Sequence, residues 1–197
     1  MFIYYLLFSI WVCIAIYIAL LEIYIIISST EYIWCVTHKQ IPFVPSSRYL
    51  RRALIDEIKK HFPHATSICD IGAGYGGLAR YIARNRDMSV VALENMPFTV
   101  NVARMMNCIA HTNVQIIKCD AFKYLKTSPK FDIGVAYLGP KVNYRLAEIT
   151  KTFDVIITFD VPIDSLKPTR VINVGHGSTR YGFQKYPHKL FVYDFRK

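Results

Sequence analysis

The stretch Ile68-Cys69-Asp70-Ile71-Gly72-Ala73-Gly74-Tyr75-Gly76-Gly77 passes from an apolar run through an acid into a glycine-rich turn, and a helical pattern follows from Leu78 through Arg86. Strand, turn and helix start in that order confine the chain to an α/β design in which the turn meets a ligand. Glycines at such a junction let the backbone approach closely and leave amide donors at the positive end of a helix. The pattern is that of a nucleotide-type cofactor site.

Spacing alone leaves two cofactors open. Gly72, Gly74 and Gly77 satisfy Gly-x-Gly-x-x-Gly, with Glu94 at about the distance expected of a ribose-binding acid in a dinucleotide site. Asp70, just before the first glycine, favours the other reading. A pyrophosphate repels a carboxylate there, whereas S-adenosyl-L-methionine carries an ammonium group that an acid at the first strand tip holds directly or through water. A methyl donor is therefore expected, with NAD and a ligand-free turn as rivals.

Charge divides the chain. Residues 1–38 contain no Lys or Arg and two acids, Glu22 and Glu31; all 24 basic residues lie from Lys39 onward against 12 of the 14 acids, a formal charge of +12 for that part. From Phe2 to Ile27 only Ser9 and Glu22 interrupt an apolar run. About 26 residues at 1.5 Å each make a helix of roughly 39 Å, enough to cross a hydrocarbon core of about 30 Å. A secretory signal peptide has a basic start, a shorter apolar core and a small-residue cleavage site. The expectation here is an uncleaved transmembrane helix at 1–29, a juxtamembrane linker at 30–45 and a catalytic domain at 46–197. Tyr32 and Trp34 suit the interfacial aromatic belt, and Glu22 near the inner end reaches the headgroups. Lys39, Arg48, Arg51 and Arg52 follow the span and nothing basic precedes it, which puts the body on the cytoplasmic side, or the matrix side in a mitochondrion. Its positive charge draws it to anionic lipid.

Five cysteines, Cys13, Cys35, Cys69, Cys108 and Cys119, form no Cys-x-x-Cys pair, and the histidines lack ligand spacing. Disulfide, zinc and other metal readings are set aside, as is a serine hydrolase, since no Gly-x-Ser-x-Gly elbow is present.

Ile41-Pro42-Phe43-Val44-Pro45 is extended, Ser46 or Ser47 caps a helix carrying Leu50, Leu54 and Ile58, and Pro63 breaks it. The basic residues of that helix, Arg48, Arg51, Arg52, Lys59 and Lys60, read as a solvated face or a partner-binding patch. Ser89–Leu93 is a buried parallel strand ending at Glu94, which suits the ribose hydroxyls, with Asn95 and Met96 edging the adenine. A helix from Pro97 to about Cys108 leads to a third strand, Val114–Lys118. Asp120, before Ala121 and Phe122, either contacts the adenine amino group or caps a short helix. Phe131–Ala136 is a fourth strand whose carboxyl end, Tyr137-Leu138-Gly139-Pro140, faces the transferable methyl group; Tyr137 either lines the methyl channel or packs in the core. A helix over Val142–Lys151, a fifth strand at Phe153–Asp160, and an antiparallel pair, Thr169–Val174 and Lys189–Phe195, joined around Gly175, Gly177 and Gly182, complete the chain. The expected fold is a seven-stranded, mostly parallel, Rossmann-like sheet with an antiparallel last strand, preceded by one transmembrane helix.

The apolar first segment, Pro42-Phe43-Val44-Pro45-Ser46, Asp-x-Gly-x-Gly at 70–74, Tyr137-Leu138-Gly139-Pro140, Phe159-Asp160-Val161-Pro162 and the tail Leu190-Phe191-Val192-Tyr193 together resemble the membrane-anchored class I protein-lysine methyltransferases. Members of that family modify the adenine nucleotide translocase and the ATP synthase c-subunit. The resemblance implies S-adenosyl-L-methionine binding by Asp70, Gly72, Gly74 and Glu94; Ala73, Gly76, Asn95, Asp120 and Ala121 complete the expected cofactor set. Catalysis is expected near Tyr137, and a lid or substrate surface from Pro42, Phe43, Leu138 and Pro140. A membrane protein is the implied acceptor. Where the family carries Asp-Gly-Arg after the second glycine, this chain has Tyr75-Gly76-Gly77. Lipid or quinone headgroup methylation is the rival within the enzyme class, and a catalytically silent membrane adaptor the rival outside it. Nucleic acid is not expected as a partner, because no Asn-Pro-Pro-Tyr motif follows the fourth strand, and neither is a metal.

Overall fold

The computed structural model describes residues 2–37, 44–177 and 186–196. They fall into two compact units, Met1–Phe43 and Val44–Lys197. In the first, helix α1 runs from Phe2 to Thr37. It continues past residue 29, into the expected linker, because the sequence holds no Pro before Pro42 and no Gly before Gly72 to end it. Ile3–Ile26 has a mean hydropathy of 2.5 and none of its apolar window is buried, so it is long and apolar enough to cross a membrane. Ser9 is satisfied inside this run, its Oγ donating to the Tyr5 carbonyl at 2.9 Å.

The second unit is an α/β domain. Its elements are α2 (Arg48–His61), β1 (Ser67–Ile71), α3 (Gly77–Asn85), β2 (Ser89–Glu94), α4 (Pro97–Ile109), β3 (Gln115–Lys118), α5 (Ala121–Leu125), β4 (Phe131–Ala136), α6 (Pro140–Asn143), a 3-10 segment (Tyr144–Thr152), β5 (Phe153–Phe159), β6 (Arg170–Gly177) and β7 (Tyr186–Asp194). The strands form one sheet in the order β3-β2-β1-β4-β5-β7-β6. All pairs from β3 to β5 are parallel, whereas β7 runs antiparallel to both β5 and β6. Strand order reverses between β1 and β4, so the carboxyl ends of these strands border the crevice where open α/β sheets bind ligands.

Alternation along the strands feeds two cores. Ile68, Val90, Ala92, Ile133, Val155 and Ile157 pack with Leu50, Leu54 and Ile58 of α2 and Ile82 of α3. Cys69, Ile71, Val91, Leu93, Phe153 and Ile156 face Phe122 and Leu125 of α5 and Leu146 and Ile149 of the 3-10 segment. Full burial of a side chain such as Leu54 contributes about 1.5–3 kcal/mol. Ser47 caps α2, its Oγ accepting from the Leu50 amide. Arg170 of β6 ties α2 to the sheet, its Nε and Nη2 donating to buried Glu57 Oε1 at 3.0 and 2.6 Å.

Two expectations are corrected here. The helix predicted over Val142–Lys151 is instead α6 followed by a 3-10 segment. Its buried positions, Asn143, Leu146 and Ile149, recur every third residue, the period of a 3-10 turn. The last two strands are longer at their shared end than predicted, with a bulge between Asn173 and Gly175, where Gly175 takes a φ of 79°. Gly182 lies outside the described residues.

Gly134 in β4 faces the ring of Phe153, which stacks on Phe131 with centroids 6.0 Å apart. A Cβ at this position would lie 2.8 Å from Phe153 Cε1. Gly134→Ala is accordingly expected to cost about 1–3 kcal/mol through overpacking, read as a lowered midpoint in denaturant unfolding.

Candidate functional site

The glycine turn leaves β1 and is fixed to β2 before any ligand is considered. The amides of Gly72 and Ala73 both donate to the Leu93 carbonyl at 2.9 Å. Gly72 and Gly76 have φ of 74° and 69°, and Gly76 is the left-handed N-cap of α3, positions where a side chain is strained. Leu138, from the connection after β4, closes over Gly72: a Cβ there would lie 2.7 Å from Leu138 Cδ2. Pro140 begins α6. Pro42 and Phe43, the expected lid, lie outside the described residues.

Three acids follow one another at the carboxyl ends of β1, β2 and β3. Asp70 is 3% exposed, and the Ala79 amide on the first turn of α3 hydrogen-bonds its carboxylate. Its Oδ2 is buried with no hydrogen-bond partner among the described residues. Burial pushes the carboxyl up from 3.8 to about 7; Glu94 adds to the rise, and the Ala79 amide and Arg51 oppose it. Glu94 braces the turn: Oε2 accepts from the Gly74 amide at 2.8 Å, and Oε1 from the amides of Asn95 and Met96 at 2.8 and 2.9 Å. Oε2, with a single bond accepted, keeps acceptor capacity. Asp120 Oδ1 accepts from the amides of Phe122 and Lys123 at 2.9 and 3.2 Å, so it caps α5, which Ala121 begins. Of the two readings of Asp120, capping is the one drawn in hydrogen bonds; it uses Oδ1 alone.

Past β4 and β5 lies a second constellation. The Tyr137 hydroxyl donates to Asp160 Oδ2 at 2.9 Å, and its ring tilts against Phe159 at 5.6 Å. Asp160 Oδ2 also lies 2.8 Å from His188 Nδ1, and Oδ1 accepts from the Lys189 amide at 2.9 Å. His188 is 3% exposed, and its Nε2 has no partner among the described residues. Burial, then the Asp160 charge, hold the Tyr137 phenol well above its ordinary range, so it stays protonated. Asp160 has a φ of 59°, a left-handed conformation unusual outside glycine. The following turn is pinned around it: Asn143 Nδ2 donates to the carbonyls of Val161 and Pro162, Thr158 Oγ1 to that of Val161, and the Ile163 amide donates to Tyr193 Oη.

No family model and no curated protein matches this chain in sequence. Among solved structures it is similar to an RNA methyltransferase from Salinibacter ruber in complex with S-adenosyl-L-homocysteine, at 18% identity and a TM-score of 0.62 over 77% of this chain and 94% of that one. It is also similar to a precorrin-6y C5,15-methyltransferase from Geobacter metallireducens, at 16% identity and a TM-score of 0.56 over 77% and 90% of the two chains. A third likeness is to TrmK from M. capricolum in complex with S-adenosyl-homocysteine, at 15% identity and a TM-score of 0.56 over 79% and 70%. The fold is that of the class I methyltransferases.

Within this methyltransferase fold Asp70, Gly72, Ala73, Gly74, Gly76, Glu94 and Asn95 come together around the turn, with Leu138 over Gly72. Asp120 and Ala121 stand at the start of α5, and Tyr137 and Pro140 lie past the end of β4. Asp160 and His188 were not among the sequence candidates, although Asp160 stands in the Phe159-Asp160-Val161-Pro162 motif, and His188 is a lone histidine beside the apolar run Leu190-Phe191-Val192. Arg51, expected on a solvated face or a partner-binding patch, instead lies against Gly77: a Cβ there would be 3.1 Å from its Nη2.

Proposed function

We propose that this chain is an S-adenosyl-L-methionine-dependent methyltransferase held at a membrane by α1, acting on an amine of a protein, with lysine as the favoured acceptor. The observation that carries the donor is Asp70: a buried carboxylate with an unpaired oxygen, directly before a glycine turn fixed by Glu94. An orphaned buried acceptor suits the donor's ammonium. Gly72, Ala73, Gly74 and Gly76 would line the turn, Glu94 would take the ribose, and Asn95, Asp120 and Ala121 would border the adenine. Bound there, S-adenosyl-L-methionine supplies a methyl group on a positively charged sulfur. Tyr137 then orients the acceptor: its hydroxyl stays protonated and donates to Asp160, and its oxygen retains lone pairs for an acceptor N–H. Such a transfer depends on alignment and exclusion of water more than on a strong base.

Membrane attachment is supported by the apolar run Ile3–Ile26 and by the positive charge that follows it. The same charge supports a catalytic unit on the cytoplasmic or matrix side, drawn to anionic lipid. It also supports RNA as a second acceptor class, in keeping with the RNA methyltransferases of similar fold. The expectation that nucleic acid is excluded is therefore withdrawn. Incubating membranes that hold the chain with methyl-tritiated S-adenosyl-L-methionine separates the acceptors. The protein reading expects label that protease releases; label removed by ribonuclease, or extracted with lipid, contradicts it.

A further inference from the structure

Arg51 is built into the donor end of the site and has no role in the reading above. Its Nε donates to Ser46 Oγ at 2.9 Å, at the start of α2. Among the described residues this is the guanidinium's only hydrogen bond, so Nη1 and Nη2 are uncommitted there. Nη2 faces the first residue of α3, where Gly77 offers no side chain to occupy the space. Burial is the main influence on Arg51 and lowers its pKa, so the cation is held partly out of water without a full counter-ion.

Its surroundings leave it positive. Arg80, on the same turn, is already bonded through Nη1 to the Tyr75 carbonyl at 2.7 Å and repels Arg51. The amino end of α3 adds further positive potential. Asp70 is the acid coupled to Arg51, yet its carboxylate is tied to the Ala79 amide and its other oxygen remains unpaired. An uncommitted guanidinium at Gly77, the first residue of α3, and an orphaned buried carboxylate bonded to the Ala79 amide two residues on, form a two-pole receptor suited to an α-amino acid group, whose ammonium and carboxylate are one carbon apart.

We infer that Arg51 binds the carboxylate of the amino-acid end of the methyl donor, opposite the Asp70 site for its ammonium. This rests on the donor reading proposed above. It makes α2, the helix that follows the juxtamembrane segment, part of the cofactor site. It also makes the site select an amino-acid-bearing nucleoside over the bare one.

Calorimetric titration of the full chain in detergent micelles tests this with two ligands, S-adenosyl-L-homocysteine and 5′-methylthioadenosine, which share nucleoside and thioether but differ in the amino-acid end. In Arg51→Ala the affinity for S-adenosyl-L-homocysteine is expected to fall about ten- to hundredfold, the usual effect of removing a charge-assisted hydrogen bond. Binding of 5′-methylthioadenosine stays unchanged, which shows in the same sample that the turn is folded. Arg51→Lys, which keeps the charge and loses the fork, recovers part of the loss. Equal loss for both ligands, or loss for neither, overturns the assignment. A native chain that binds neither ligand contradicts the donor reading itself and takes the assignment with it, a failure visible before any variant is made.

Discussion

Asp70→Asn is expected to weaken S-adenosyl-L-homocysteine binding about ten- to hundredfold and to abolish its dependence on pH. The amide is close to isosteric and still accepts from the Ala79 amide, so the turn keeps its shape while the charge is removed. In the native chain burial holds the carboxyl at about 7, against the opposing pull of the Ala79 amide and Arg51. Below that value the group is neutral and attracts an ammonium poorly, so affinity rises as pH passes upward through about 7. Stability moves in the opposite sense. The folded chain keeps a proton that the unfolded chain releases near 3.8, so this group subtracts stability as pH rises from about 4 to about 7, and not further above. Titration calorimetry and denaturant unfolding across that window, on native chain and variant, measure both slopes. A native affinity that is flat in pH contradicts the assignment of the ammonium to Asp70.

Tyr137→Phe carries the second large expectation: methyl transfer slowed roughly ten- to hundredfold, with S-adenosyl-L-homocysteine affinity unchanged. The phenol is fixed by Asp160, which is itself fixed by His188 and the Lys189 amide, so its oxygen is aimed before an acceptor arrives. Asp160→Asn is the companion variant. Asparagine tolerates the left-handed backbone at this position, so the strand end survives while the strong acceptor for Tyr137 is weakened. It should slow label transfer from tritiated S-adenosyl-L-methionine to membranes as Tyr137→Phe does. Unchanged transfer in both variants assigns Tyr137 to core packing against Phe159.

The glycine turn on which the donor reading rests was legible as a strand, turn and helix start because its residues are local. Asp70 to Gly77 is one strand, turn and helix start, and the glycines, the acid and the following apolar period all lie within a few residues of one another. Glu94 was legible for a similar reason, standing at the end of the next apolar strand. The cluster of Tyr137, Asp160 and His188 was not. Asp160 and His188 meet because β7 enters the sheet antiparallel between β5 and β6, which brings Lys189 opposite Asp160. That pairing joins residues distant in sequence and leaves no periodic mark. Arg51 was hidden differently: a basic residue on an amphipathic helix usually faces solvent, and only the missing side chain at Gly77 reveals why this one lies inward. The 3-10 segment was misread because Leu146 and Ile149, three apart, fit either helical period.

The central claim is that the turn after β1 holds a methyl donor, and titrating the full chain with S-adenosyl-L-homocysteine tests it most directly. The account predicts saturable one-to-one binding at about micromolar ligand. No binding at about millimolar ligand, in chain shown to be folded, would contradict it.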